Sequence, residues 1–180
     1  MMRTTRLPMR KYRNSGTLLF AAVLTGASLL PSIVRADDAP SVVVKGDDVT
    51  AKVALSGSKT KPGGQVGVTV SFDVALGWHI YGEPLPTEFT TTKVKFDDQL
   101  LQNQAVTMPK PTPLKFESLG ETYPVYTGKF DATGKVALKP SVGPGDYKLS
   151  GTIEFQECND NMCKMPQSLH FEVPVTVAKS

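Results

Sequence analysis

From Val49 onward, apolar and polar residues alternate with period two. Val49, Ala51, Val53 and Leu55 alternate with Thr50, Lys52 and Ala54. Val66, Val68, Val70, Phe72 and Val74 alternate with Gly67, Thr69, Ser71 and Asp73. Shorter runs include Val94 and Phe96, then Val136 and Leu138. Two long runs close the chain: Tyr147, Leu149, Gly151, Ile153 and Phe155, and then Leu169, Phe171, Val173, Val175 and Val177. Such alternation puts one set of side chains on a buried face and the other in water. Turn formers separate the runs at Lys61-Pro62-Gly63-Gly64, Asp131-Ala132-Thr133-Gly134 and Gly143-Pro144-Gly145-Asp146. No stretch of helical period exceeds a turn or two. The pattern predicts an all-β fold: an immunoglobulin-like antiparallel β-sandwich of about seven or more short strands.

The middle of the chain is less regular. Trp78-His79-Ile80-Tyr81 reads as a short strand running into a Pro-rich loop, Gly82 to Pro86. The prolines of Met108 to Phe116 keep that stretch extended. Phe116-Glu117-Ser118-Leu119-Gly120 reads as an exposed loop carrying two apolar residues. Trp78 is expected in the core, His79 as a hydrogen-bonded structural residue, and His170 facing water.

The amino terminus changes the picture drawn from composition. Arg3, Arg6, Arg10, Lys11 and Arg13 precede an uncharged apolar stretch from Thr17 to Val34, and Val34-Arg35-Ala36 follows. The expectation is a secretory signal, residues 1–36, cleaved after Ala36. The competing reading is an uncleaved anchor, interrupted by Gly26, Ser28, Pro31 and Ser32. The whole sequence has 20 basic and 17 acidic residues and a net charge of +3. Residues 1–36 hold six of the basic residues and none of the acidic ones. The remainder carries 14 lysines, no arginine and 17 acidic residues, a net charge of −3. No basic stripe marks a nucleic-acid face, and no later run is long and apolar enough to cross a bilayer. Residues 37–48 read as a polar leader, and residues 49–180 as one domain of ordinary size. The expectation is a periplasmic protein with no stable membrane insertion after cleavage.

The candidate chemistry lies in two cysteines, Cys158 and Cys163, separated by Asn159-Asp160-Asn161-Met162. Cys158 is expected to end the strand from Tyr147, and Cys163 to precede the strand that begins near Gln167. The pair would face each other across the base of a hairpin, close enough for a disulfide. Three readings are open. A permanent staple gains little, because a loop of about six residues contributes only about 2 kcal/mol. A reducible, redox-active pair suits a short bridge in an oxidising compartment. A Cu(I) site could use the soft ligands Cys158, Met162, Cys163 and Met165, with His79 or His170 joining. Glu157 and Asp160 disfavour a Cys158 thiolate, while Lys164 favours one at Cys163. No phosphate loop, zinc-hydrolase or serine-hydrolase motif is present, and no cofactor is expected.

These residues resemble the amino-terminal periplasmic domain of the DsbD thiol–disulfide reductases. The matching features are Trp78-His79-Ile80-Tyr81 with its Pro-containing loop, the strand from Tyr147 to Gln156, and Cys-x4-Cys followed by Pro166. The resemblance spans about residues 45–178. It implies a redox-active pair that takes electrons from a thioredoxin-like donor and passes them to periplasmic disulfide partners. It implies Cys163 as the cysteine joined to partners and Cys158 as the resolving thiol. It also implies a cap loop over the disulfide, in which Phe116 or Leu119 is the shield; the family's aromatic-aromatic-Gly ending is absent here. The expectation is a stand-alone form that takes electrons from a separate protein. The alternative is a non-catalytic binding or copper-binding module on the same sandwich.

Overall fold

The computed structural model describes residues 39–86, 88–97, 99–116 and 120–179. The expected signal segment and Leu119 lie outside the described residues. Among the described residues every regular element is a strand. In chain order these are β1 (Ser41–Lys45), β2 (Val49–Leu55), β3 (Lys59–Thr60), β4 (Gln65–Val74) and β5 (His79–Tyr81). Next come β6 (Lys93–Phe96), β7 (Leu101–Thr107), β8 (Thr112–Phe116) and β9 (Glu121–Tyr126). The chain closes with β10 (Lys129–Leu138), β11 (Gly145–Phe155), β12 (Glu157–Cys158) and β13 (Gln167–Val177).

Two sheets form the sandwich. One has the order β1-β2-β4-β10-β7, the other β3-β13-β11-β6. All pairings are antiparallel except the short β3–β13 contact. The alternation in sequence becomes alternation in burial. In β2, Val49, Ala51, Val53 and Leu55 are buried; in β13, Phe171, Val173, Val175 and Val177 are buried while Glu172 and Pro174 face out. The inward residues of both sheets meet in one core with Phe72, Phe96, Leu138, Leu149, Ile153 and Phe155. Each large apolar side chain buried there contributes about 1.5–3 kcal/mol. The sandwich is immunoglobulin-like, as the alternation predicts.

The Asp131-Ala132-Thr133-Gly134 stretch, expected as a turn, lies inside β10, paired to β4, and two further elements depart from the sequence reading. Ser41–Lys45 lies inside the stretch read as a polar leader, yet it is an edge strand in register with Ala54 to Thr50 of β2. Its Val42 and Val44 pack on the core, while Val43 faces water. Three consecutive valines hide the alternation. The second departure sits at the cysteines. β11 ends at Phe155, and after Gln156 the chain leaves the sandwich sheet. Glu157 and Cys158 then pair with Ile80 and His79 of β5. Cys158 therefore belongs to a third small sheet, ordered β12-β5-β9-β8, and does not end the strand from Tyr147.

Candidate redox site

The third sheet supports the site. Its register places His79 opposite Cys158, and Cys158 opposite Cys163. Residues paired across strands project to the same face. His79, Cys158 and Cys163 thus form one row, with Tyr81 two positions along β5 on the same side.

Local hydrogen bonds close the hairpin. The Asn159 Oδ1 accepts from the backbone N–H of Asn161 and of Met162, each at 2.9 Å. The Asn159 N–H donates to Met162 O at 2.9 Å, and the Lys164 N–H to Glu157 O at 2.8 Å. An asparagine that bonds its own backbone ahead is a turn device, so this connector folds tightly. The disulfide Cys158–Cys163 spans a Cα–Cα distance of 4.1 Å. Its two ends differ in access: Cys158 is 0% exposed, whereas Cys163 faces solvent.

An aromatic cluster surrounds the buried end. Tyr81, Tyr123, Val125 and Cys158 form a second small core, with Leu85, Phe89, Leu114 and Phe116 packed against it. Phe116 sits 5.2 Å from the His79 ring and 5.5 Å from Tyr123. Phe89 sits 5.1 Å from Tyr81 and 5.4 Å from Tyr123. The Tyr81 Oη lies 3.7 Å from the Cys163 Sγ. Burial pushes the Tyr81 phenol above its usual range, so it stays a hydrogen-bond donor at neutral pH.

Of the two candidate cap residues, Phe116 ends β8 within this cluster and Leu119 lies outside the described residues. Sequence reasoning missed Phe89 and Tyr123. Phe89 had a signal: one aromatic in the polar run Thr87-Glu88-Phe89-Thr90-Thr91. The backbone brings it in, because the Thr92 N–H donates to Tyr81 O at 2.8 Å and the Thr90 N–H to the Gln156 Oε1 at 3.1 Å.

The opposite face of the hairpin carries charge. Glu157 and Lys164 alternate with the cysteines and point the other way. Glu157 is 0% exposed; it accepts from Lys164 Nζ at 3.0 Å and from the Asp48 N–H at 3.1 Å. Lys164 also contacts Asp47 at 3.2 Å and pairs closely with Asp48. Its Nζ stands 4.4 Å from the centroid of Trp78, which is half-buried against the sandwich core. The hydrogen bond to Asp48, with those to Glu157 and Asp47, holds the Lys164 ammonium well above the usual lysine range. The turn between β1 and β2 approaches closely here. A Cβ at Gly46 would stand 2.7 Å from the Gln167 Oε1 and 3.0 Å from the Glu157 Oε1. Expected to favour a Cys163 thiolate, the Lys164 charge is instead shared among three carboxylates on the far face.

The remaining candidates are placed as follows. Met162 and Met165 are 55% and 83% exposed, on either side of Cys163. Among the described residues no group of three or more His, Cys, Asp or Glu is placed to hold a metal ion. His170 is exposed and contacts Thr152 Oγ1 at 3.2 Å. His79 was expected to be hydrogen-bonded. It is 3% exposed, and its Nε2 is buried with no hydrogen-bond partner among the described residues.

A family model, thiol:disulfide interchange protein DsbD, N-terminal, matches residues 46–174. Among solved structures, the N-terminal periplasmic domain of ScsB from Proteus mirabilis aligns with a TM-score of 0.55 at 15% identity. That alignment covers 74% of this chain and 51% of the ScsB domain, so the chain spans about half of that domain's length. The reduced DsbD N-terminal domain of Neisseria meningitidis aligns at 18% identity over 83% of this chain and 96% of its own, with a TM-score of 0.39. A search of curated proteins finds no match. The family match over most of the sandwich and the whole cysteine hairpin places the chain in the family of DsbD N-terminal thiol:disulfide interchange domains.

Proposed function

We propose that the protein carries electrons in the periplasm through Cys158 and Cys163, from a thioredoxin-like donor to disulfide-bonded partners. The observation that carries this reading is the asymmetry of the disulfide: one sulfur faces solvent and the other is enclosed by aromatic residues. A permanent staple needs no such asymmetry. It would also contribute only about 2 kcal/mol over so short a loop.

In the reduced protein, the Cys163 thiolate attacks a partner disulfide. A mixed disulfide forms, and the partner's other sulfur leaves as a thiolate. Cys158 then gives up its proton, attacks the Cys163 sulfur, closes the Cys158–Cys163 bond and releases the second partner thiolate. Two electrons have moved to the partner. A thioredoxin-like donor restores the dithiol by the reverse sequence. Access supports Cys163 as the attacking sulfur, and the Tyr81 hydroxyl is within reach to donate to its thiolate. Phe116, packed against the cluster around Cys158, shields the disulfide until a partner displaces it. Residues 1–36 deliver the chain to the periplasm and are removed there. Among the described residues no helix is long and apolar enough to cross a membrane.

Trapping tests the proposal. Cys158→Ala leaves the exposed Cys163 free, so it accumulates mixed disulfides with thioredoxin-like proteins on a non-reducing gel. Cys163→Ala leaves only the enclosed Cys158 and traps far less. No adduct with either variant would reduce the pair to a structural bridge.

A further inference from the structure

We propose that His79 is the proton acceptor for Cys158, taking the proton of the enclosed thiol as it attacks the Cys163 sulfur. The proposal rests on the redox reading given above and adds a residue to it. Three observations carry it. First, β5 and β12 pair His79 with Cys158 in register, and Cys158 pairs in turn with Cys163. Directly opposed residues have Cβ atoms roughly 4.5–5.5 Å apart, within reach of an imidazole. Second, His79 is 3% exposed, and its Nε2 is buried with no hydrogen-bond partner among the described residues. A buried ring nitrogen without a partner is costly to keep unless it has a use. Third, the ring is held in place: Tyr81 packs on it at 5.5 Å and Phe116 at 5.2 Å, and both residues also pack around Cys158.

The chemistry explains why such a base is needed. Cys158 is cut off from water, and an apolar enclosure disfavours a free thiolate. Its proton must go to a nearby group as the S–S bond forms. Neutral imidazole accepts it at Nε2, the Cys158 sulfur bonds to Cys163, and the departing partner thiolate takes the electron pair of the broken bond. The proton then passes from the imidazolium to that thiolate or to water, and His79 is neutral again. In the reverse direction the imidazolium protonates Cys158 as it leaves.

The charges facing His79 suit both states. Burial lowers its pKa from the usual 6.5, so it is a free base at neutral pH. Asp160, in the hairpin turn, acts in the opposite direction and stabilises the transient imidazolium. Tyr81, on the same strand, stays protonated. Lys129 and Asp73 line the groove beside His79 and pair with each other at 3.6 Å.

The test uses the reduced protein and an aromatic disulfide, 5,5′-dithiobis(2-nitrobenzoate). Each attack releases a coloured thiolate that needs no proton to leave. The first phase reports attack by Cys163; the second, independent of probe concentration, reports ring closure by Cys158. In His79→Phe, which keeps the ring packing, ring closure at pH 7 should slow by about a hundredfold while the first phase is unchanged. The wild-type closure rate should level off above the His79 pKa, whereas the variant's keeps rising tenfold per pH unit. His79→Asn carries the same comparison if His79→Phe does not fold, and imidazole added to His79→Gly should restore closure. Superimposable pH profiles with a normal first phase, or no imidazole rescue, would overturn the role of His79 alone. The absence of a first phase in the wild type would overturn the redox reading, and this proposal with it.

Discussion

At the scale of single residues, the site depends on groups whose neighbours matter more than their own chemistry. Lys164 is the clearest case. In sequence it adjoins Cys163; in space it ties Asp47, Asp48 and the buried Glu157 together over Trp78. Removing its charge leaves a buried carboxylate uncompensated. Lys164→Met should therefore lower the melting temperature clearly more than Lys148→Met, which breaks only the exposed pair with Glu172. Lys164→Arg should recover part of the loss; equal shifts for the Lys164→Met and Lys148→Met variants would refute the clamp. His79 makes a second prediction at this scale. Its folded pKa lies below its unfolded value near 6.5, so the unfolded chain binds the proton first. Its contribution to stability is present above pH of about 6.5 and is lost as pH falls toward the lowered pKa. Denaturant titrations across that window should show the slope in the wild type and its loss in His79→Phe. Neither effect was legible in sequence. Lys164 is more than 100 residues from Asp47 and Asp48 along the chain, and an orphaned nitrogen is a property of the folded neighbourhood.

At the scale of elements, the long strands could be read directly. β2, β4, β11 and β13 fall where the alternation places them, because each has one dry face. The third sheet could not be read in the same way. β5 has three residues and β12 two, too short to show a period, and Gln156 gives no sign that the chain changes sheets there. Yet that change puts Cys158 beside His79. The hairpin turn was legible, since Asn159 caps it through its own side chain. The aromatic cluster was legible in part. Phe116 packs against it, as does Phe89, whose signal as the one aromatic of a polar loop was missed. The rings packed against the cluster thus come from two elements, β8 and the loop before β6. Phe116→Ala and Phe89→Ala should each raise the rate at which a small thiol reduces the disulfide, and the double variant should raise it further. Rates equal to wild type in all three would show that neither ring guards the sulfurs. Ile80, at 0% exposure in β5, anchors this sheet to the sandwich core. Ile80→Ala should cost about 2–5 kcal/mol in chemical denaturation.

At the scale of the whole molecule, the sandwich is the mount and the third sheet carries Cys158 of the disulfide. The main core joins both large sheets, and a separate aromatic cluster encloses Cys158. The disulfide is therefore not needed to hold the sandwich together, and its reduction should leave the fold intact. The family match gives the class of chemistry; the uneven burial of the two cysteines supports Cys163 as the accessible partner-facing sulfur. The equilibrium of Cys158–Cys163 with glutathione decides whether the pair works as a redox couple. A working couple has a reduction potential above about −300 mV, within the range of exchange-active pairs, and the reduced protein keeps its β spectrum. A potential well below about −300 mV would mark an inert structural bridge and contradict the redox role.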